Sequence, residues 1–201
     1  VSRHPRRRQT NPLTRGLIFG LLAFFLALFV SFPSREAAER LNISGASLIL
    51  LFIVALGVLF DMIGVAAASA REEPFNAMAA RRVRGARHAL DLVHNADTVA
   101  AVCADMVGDI AGTVSGAAAA AVVFRAIAVA PQLTPLRTVA DAAVVALAAG
   151  LTVGGKAACK VYALRSWTQI LLAVGKLMWW LERYLHIRFF AATRTRRERR
   201  R

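Results

Sequence analysis

Residues 43–70, ISGASLILLFIVALGVLFDMIGVAAASA, decide the fold. At 1.5 Å per residue this stretch is long enough, as a helix, to cross a hydrocarbon core of about 30 Å. Asp61 is its only charge. A strand is excluded, because the run is too long, does not alternate, and would leave its backbone unsatisfied in lipid. Three similar runs accompany it. Residues 17–32 (LIFGLLAFFLALFVSF) carry no charge, residues 98–124 carry Asp105 and Asp109, and residues 138–155 carry Asp141. Of the 201 residues, 57% are hydrophobic and 19% charged, and 26 Lys and Arg against 12 Asp and Glu give a net charge of +14. Such apolarity excludes disorder for most of the chain. Joined to one-sided basicity, it indicates a membrane protein with cationic flanks rather than a DNA-binding globule. The predicted fold class is all-α, a polytopic membrane helix bundle with cytoplasmic-side interfacial helices.

The charges between the runs set an orientation. A basic arm, 1–16, holds Arg3, Arg6, Arg7, Arg8 and Arg15 ahead of the first apolar run, the profile of a signal peptide or signal anchor. No A-x-A-like site follows Phe32, so an uncleaved first span over 17–32 is expected. The 33–42 loop balances Arg35 and Arg40 against Glu36 and Glu39. The 71–97 segment is basic through Arg71, Arg81, Arg82, Arg84 and Arg87, and the 125–137 loop has only Arg125 and Arg137. Basic residues return at Lys156, Lys160 and Arg165. This alternation predicts four spans with both termini in the cytoplasm, in an inner (plasma) membrane. Pro74 behind Glu72 and Glu73 suits the first turn of a basic juxtamembrane helix over 74–94. Asn95 or Asp97 is a candidate cap for the next span, and Pro131 and Pro135 mark a turn. Residues 161–187, with Trp167, Trp179, Trp180 and Tyr184, read as amphipathic helices in the inner interface. The tail 188–201, carrying Arg194, Arg196, Arg197, Arg199, Arg200 and Arg201, is expected to meet anionic lipid.

Carboxylates within apolar runs are costly and usually face protein, water or an ion path. Asp105 and Asp109 are four apart, hence on one helical face, and Gly108, Gly112 and Gly116 share it. Gly57, Asp61, Gly64 and Ala68 form a second small-residue stripe, and Asp141, Ala148, Thr152 and Gly155 a third. Small residues let helices approach closely, which would enclose the carboxylates between spans. One reading is a cation site of hard oxygen ligands suited to Mg2+ or Ca2+. The other is that the aspartates pair with Lys156, Arg125 or backbone donors and only fix helix register.

The order of these features resembles the transmembrane domain of the cyclin-M/CorB–CorC magnesium transporter family, the hemolysin-like CBS-pair proteins. The residues that carry the resemblance are Phe60-Asp61-Met62-Ile63-Gly64-Val65-Ala66-Ala67-Ala68-Ser69, the arginine-rich 74–94 helix, Asn95-Ala96-Asp97, Gly155-Lys156-Ala157-Ala158-Cys159-Lys160 and ALRSWTQILLAVGKLMWWLERYL. They are similar to the family's FSGSETALLS-like motif, basic helix, asparagine-proline-acid turn, GEIIPK-like motif and following interfacial run. The resemblance spans about residues 46–185 and makes 17–32 an added span. It implies divalent-cation binding or transport, Mg2+ as the bound or transported ion, a homodimer without the CBS pair, and Asp61, Ser69, Asp105 and Asp109 as metal ligands. The family's G-N pair corresponds to Gly108-Asp109 or Ala104-Asp105, neither of which keeps the asparagine. Lys156 stands where the family has an acid, and Cys159 where it has a proline. A lysine there would repel a dication or, as a tethered cation, neutralise an aspartate. The alternative function is a non-transporting membrane scaffold, or a regulatory partner of a transporter, with structural aspartates.

Other chemistry is not indicated. Cys103 and Cys159 have no CxxC spacing and read as free thiols. His4, His88, His94 and His186 are scattered, and no GxSxG, HExxH, Walker or dinucleotide motif is present, so neither an enzyme nor a nucleic-acid partner is expected. The charge pattern predicts that a cysteine introduced at Ser34 or Thr134 labels from outside intact cells and one at Ala80 does not. Labelling at Ala80 overturns the orientation.

Overall fold

The computed structural model describes residues 12–185; the arm up to residue 11 and the arginine tail lie outside the described residues. The described chain is helical almost throughout, with no strand. Its elements are α1 (Pro12–Arg40), α2 (Ile43–Ser69), α3 (Glu72–Ala80), α4 (Ala86–His94), α5 (Ala96–Ala100), a π-helical turn (Ala101–Val107), α6 (Gly108–Val129), a 3-10 turn (Pro131–Leu136) and α7 (Arg137–Leu185).

Three stretches are long and apolar enough to cross a membrane: Ile43–Ser69, Ala96–Val129 and Arg137–Tyr184. The apolar part of α1, Gly16–Phe32, is about 25 Å long at 1.5 Å per residue, short of a full crossing. Large apolar side chains such as Phe24, Phe29, Leu48, Phe52, Leu147 and Leu151 stand exposed. A bundle whose outer surface faces hydrocarbon has this inside-out distribution.

Several expected boundaries move. The 33–42 loop shrinks to residues 41–42, because α1 continues through Glu36-Ala37-Ala38-Glu39-Arg40, all strong helix formers. Asn42 then caps α2: its Oδ1 accepts from the Gly45 N–H at 3.1 Å and from Ser44 Oγ at 3.2 Å. The single basic helix expected over 74–94 is two helices, α3 and α4. After Ala80 the Arg82 N–H bonds to the Ala79 carbonyl at 3.1 Å, and the Val83 N–H reaches the Met78 carbonyl at 3.0 Å. That pair of bonds is a Schellman motif, with Arg82 in the left-handed position (φ 56°) that glycine usually fills. Asn95 stands at the N-terminus of α5 but makes no side-chain cap there. Its Nδ2 donates back to the Asp91 carbonyl at 2.8 Å and so closes α4. The last span does not stop at 155. Nothing in Lys156–Arg165 breaks a helix, and α7 runs on until Ser166 (φ −118°, ψ 22°) kinks it ahead of the aromatic segment.

The described residues form two compact units. The first comprises α1, the start of α2 up to Leu56, Asp109 onward in α6, and α7 up to Thr152. Its buried residues are mostly small: Ala46, Ala111, Ala118, Ala119 and Ala148 beside Ile53, Val54, Val114 and Val123. Thr152 and Ser115 are buried there without cost, donating to the Ala148 carbonyl (2.8 Å) and the Gly112 carbonyl (2.7 Å) of their own helices.

The second unit holds the end of α2 from Gly57, then α3, α4, α5, the π-turn and α7 from Val153. Its core gathers Ala66, Ala67, Phe75, Ala89, Leu92, Val99, Ala163, Ile170 and Leu171. Phe75 is fully buried, with its ring 5.8 Å from that of Trp167. Gly85 (φ 81°) and Gly175 bring the turn before α4 directly onto α7. A Cβ built at Gly85 would lie 2.5 Å from the Lys176 nitrogen, and one at Gly175 would overlap the Gly85 carbonyl oxygen. Two histidine–carboxylate contacts finish the unit: His88 Nε2 lies 3.2 Å from Glu182, and His94 Nε2 3.3 Å from Glu72.

Gly85→Ala should lower stability by roughly 2–4 kcal/mol, because it adds a left-handed penalty and an overlap with backbone. Arg82→Gly should raise stability by up to about 1 kcal/mol by relieving the same conformation without removing a packed side chain. Thermal melts in detergent read both. Equal effects at the two positions would contradict the assignment of the turn.

Candidate functional site

The polar centre of the second unit is built where α2, the π-turn and α7 meet. Asp61 lies in α2 and Lys156 in α7. Lys156 Nζ stands 4.0 Å from Asp61 Oδ1, and both side chains are largely buried, 24% and 17% exposed. Three glycines make the approach possible. A Cβ at Gly64 would sit 2.8 Å from the Ala104 Cβ and 2.9 Å from its nitrogen, so α2 touches the backbone of the π-turn. A Cβ at Gly155 would sit 2.9 Å from Val58 Cγ2, so α7 touches α2 one turn away from the pair. A Cβ at Gly108 would lie 3.4 Å from Lys156 Nζ, 3.5 Å from the Cys103 carbonyl oxygen and 3.7 Å from Asp61 Oδ1. The bare Cα of Gly108 thus forms one wall of the charged pocket.

The π-turn is the unusual local feature. Ala101–Val107 widens the helix by one residue, and such turns shift the hydrogen-bond ladder and concentrate at functional sites. Within it the Cys103 carbonyl accepts the Gly108 N–H, which sets Gly108 beside the charged pair. It also breaks the simple four-residue spacing that puts Asp105 and Asp109 on one face, since Asp105 lies within the turn and Asp109 beyond it. No sequence signal announces this turn; residues 101–107, AVCADMV, read as ordinary helix.

The four expected ligands are placed differently from one another. Asp61 is held beside Lys156. The Ser69 hydroxyl donates to the Val65 carbonyl at 2.7 Å, a back-bond within the last turn of α2. Asp105 and Asp109 are both exposed. Among the described residues, no three His, Cys, Asp or Glu side chains come together closely enough to hold a metal ion. Asp141 is partly exposed at the start of α7 and lies 3.9 Å from Arg137. Of the small-residue stripes, Gly64, Gly108 and Gly155 make the close contacts that the spacing anticipates. Gly112 and Gly116 have open space where a side chain would be. Cys103 and Cys159 are free thiols.

This geometry accomplishes one thing directly: it keeps a carboxylate inside an apolar bundle by placing a tethered ammonium against it. A buried charge is costly to leave alone, and an opposite charge beside it offsets part of that cost.

No family model, no curated protein and no solved structure matches the chain.

The aspartates should therefore be unequal. Lys156→Met takes away the cation beside Asp61 and should cost about 3–5 kcal/mol, as breaking a buried pair does. Asp105→Asn, at an exposed position, should change stability by no more than about 0.5 kcal/mol. Melting curves in detergent compare them. A large loss at Asp105 with none at Lys156 would move the polar centre elsewhere.

Proposed function

We propose that this chain is a multi-pass membrane protein in which Lys156 acts as a permanent, tethered cation for Asp61, making the bundle a non-transporting scaffold or the regulatory partner of a transporter. The observation that carries the reading is the 4.0 Å approach of Lys156 Nζ to Asp61 in a pocket narrowed by Gly64, Gly108 and Gly155. An ammonium in that position supplies charge that a bound dication would otherwise supply, and it repels any dication that enters. The layout similar to a magnesium-transporter transmembrane domain supports the same reading from the sequence: the lysine stands where that family keeps an acid. The reading places the protein in the inner (plasma) membrane as a homodimer, with its termini cytoplasmic and its arginine tail against anionic lipid.

Divalent-cation binding or transport is the second reading, and one observation favours it. The polar centre holds the Asp61 carboxylate where α2 meets the π-turn, and a carboxylate is the hard oxygen ligand that Mg2+ takes. Transport would then require Lys156 to swing aside as the ion arrives.

Magnesium and a charge reversal separate the two. A ligand at 100 times its Kd stabilises the native state by about 2.7 kcal/mol. The scaffold reading expects the detergent-solubilised wild type to melt at the same temperature with and without Mg2+. It expects K156E, which replaces the tethered cation with an acid, to be destabilised without Mg2+ and to regain several degrees when Mg2+ is added. A wild type whose melting temperature rises with Mg2+, and not with an equal ionic strength of NaCl, overturns the scaffold reading in favour of cation binding.

A further inference from the structure

The second unit carries another cluster, outside the Asp61–Lys156 pocket. The guanidinium carbons of Arg84 and Arg183 lie 5.7 Å and 5.4 Å from the centroid of a single ring, that of Trp179. Both arginines are exposed, and among the described residues neither forms an ion pair with a carboxylate. Glu182, adjacent in sequence, is committed to His88. The Gly85–Gly175 backbone contact fixes the arrangement, because Arg84 immediately precedes Gly85 and Lys176 immediately follows Gly175. Exposed Arg81, Arg82 and Arg87 extend the positive surface along the turn. The next face of α7 round the helix carries exposed apolar side chains: Leu177, and Trp180 with its ring 4.9 Å from that of Tyr184.

We propose that the Arg84–Trp179–Arg183 cluster is a binding site for the phosphate of an anionic phospholipid. Two like charges drawn to one ring repel each other, and with the neighbouring Glu182 carboxylate turned to His88 the arrangement favours an external anion. Arginine forks match phosphate oxygens in two-pronged fashion, and the ring beneath holds the forks in place. The lipid, rather than free phosphate, is the source, because Leu177, Trp180 and Tyr184 offer an apolar and aromatic surface that only the glycerol and acyl portions of a lipid would cover. The site also lies on α7, whose residues Arg137–Tyr184 are one of the three stretches long and apolar enough to cross a membrane. This inference rests on the membrane reading but not on the role given to Lys156.

The test uses the full chain reconstituted in phosphatidylcholine nanodiscs, with its own tryptophans as reporters. Brominated phosphatidylglycerol should quench their emission more than brominated phosphatidylcholine at the same mole fraction, corresponding to a relative affinity of roughly tenfold or more. The double substitution R84Q/R183Q should bring the ratio to near unity, deletion of 194–201 should leave most of it, and inorganic phosphate should not reverse it. If R84Q disturbs the turn, R183Q alone, at the exposed end of α7, should lower the ratio about fivefold. Equal quenching by the two lipids in the wild type overturns the proposal, as does a preference that survives in folded R84Q/R183Q or R183Q. Loss of the preference on deleting 194–201 assigns it to the tail and overturns it equally. Reversal by inorganic phosphate overturns the lipid as the source. Failure to enter nanodiscs at all is a different result, and it counts against the membrane reading.

Discussion

An aspartate and a lysine placed in helices of otherwise apolar composition must find each other, water or an ion, and the second unit is arranged around the first of these solutions. Asp61 on α2 and Lys156 on α7 approach to 4.0 Å, which requires the two helices and the π-turn to come closer than ordinary side chains allow. Gly64, Gly108 and Gly155 are the positions that permit it, each sited where a Cβ would meet a neighbouring element. The close-packed glycines and the charge pair are thus one feature. The glycines have local use only because there is a charge pair to enclose, and the pair is tolerable only because the glycines close the pocket.

The same economy explains the polar connectors of that unit. Helices α3 and α4 leave and re-enter the core through a turn that carries Arg81, Arg82, Arg84 and Arg87 on its exposed side, while Phe75, Ala89 and Leu92 bury the other. A Schellman bond pattern ends α3 with an arginine in a conformation that costs about 1–2 kcal/mol for a residue with a side chain. The contact between Gly85 and Gly175 then pins the turn to α7. The left-handed residues Arg82 and Gly85 thus sit in the same turn as a run of exposed arginines.

Much of this was legible in the sequence, and the physical reasons are specific. Long runs with few charges mark helices long and apolar enough to span a membrane, and Ile43–Ser69 matches its expected range to within a residue. Lys156 and Asp61 were visible as charges needing partners, and the spacing of Gly64, Gly108 and Gly155 as small-residue stripes. Three features were not legible. The π-turn depends on tertiary packing, and residues 101–107 carry no breaker to mark it. The division of 74–94 turns on Arg82 adopting a left-handed conformation, which sequence preference argues against. The continuation of α7 to Ser166 follows from the lack of a stop signal after Gly155, where a change in composition suggested a boundary. Asn42 caps α2 from a segment read as loop, a cap visible only once the helix start is fixed.

The central claim is that Asp61 and Lys156 are energetically coupled as a built-in pair. A double-mutant cycle on the full chain in detergent measures that coupling directly, using unfolding of wild type, Asp61→Asn, Lys156→Met and the double variant without added divalent cations. The account predicts that the double variant is more stable than the sum of the two single losses allows, with a coupling energy of about 1–3 kcal/mol. Additive losses within about 0.3–0.5 kcal/mol would contradict it, showing that the two charges are neighbours without being partners.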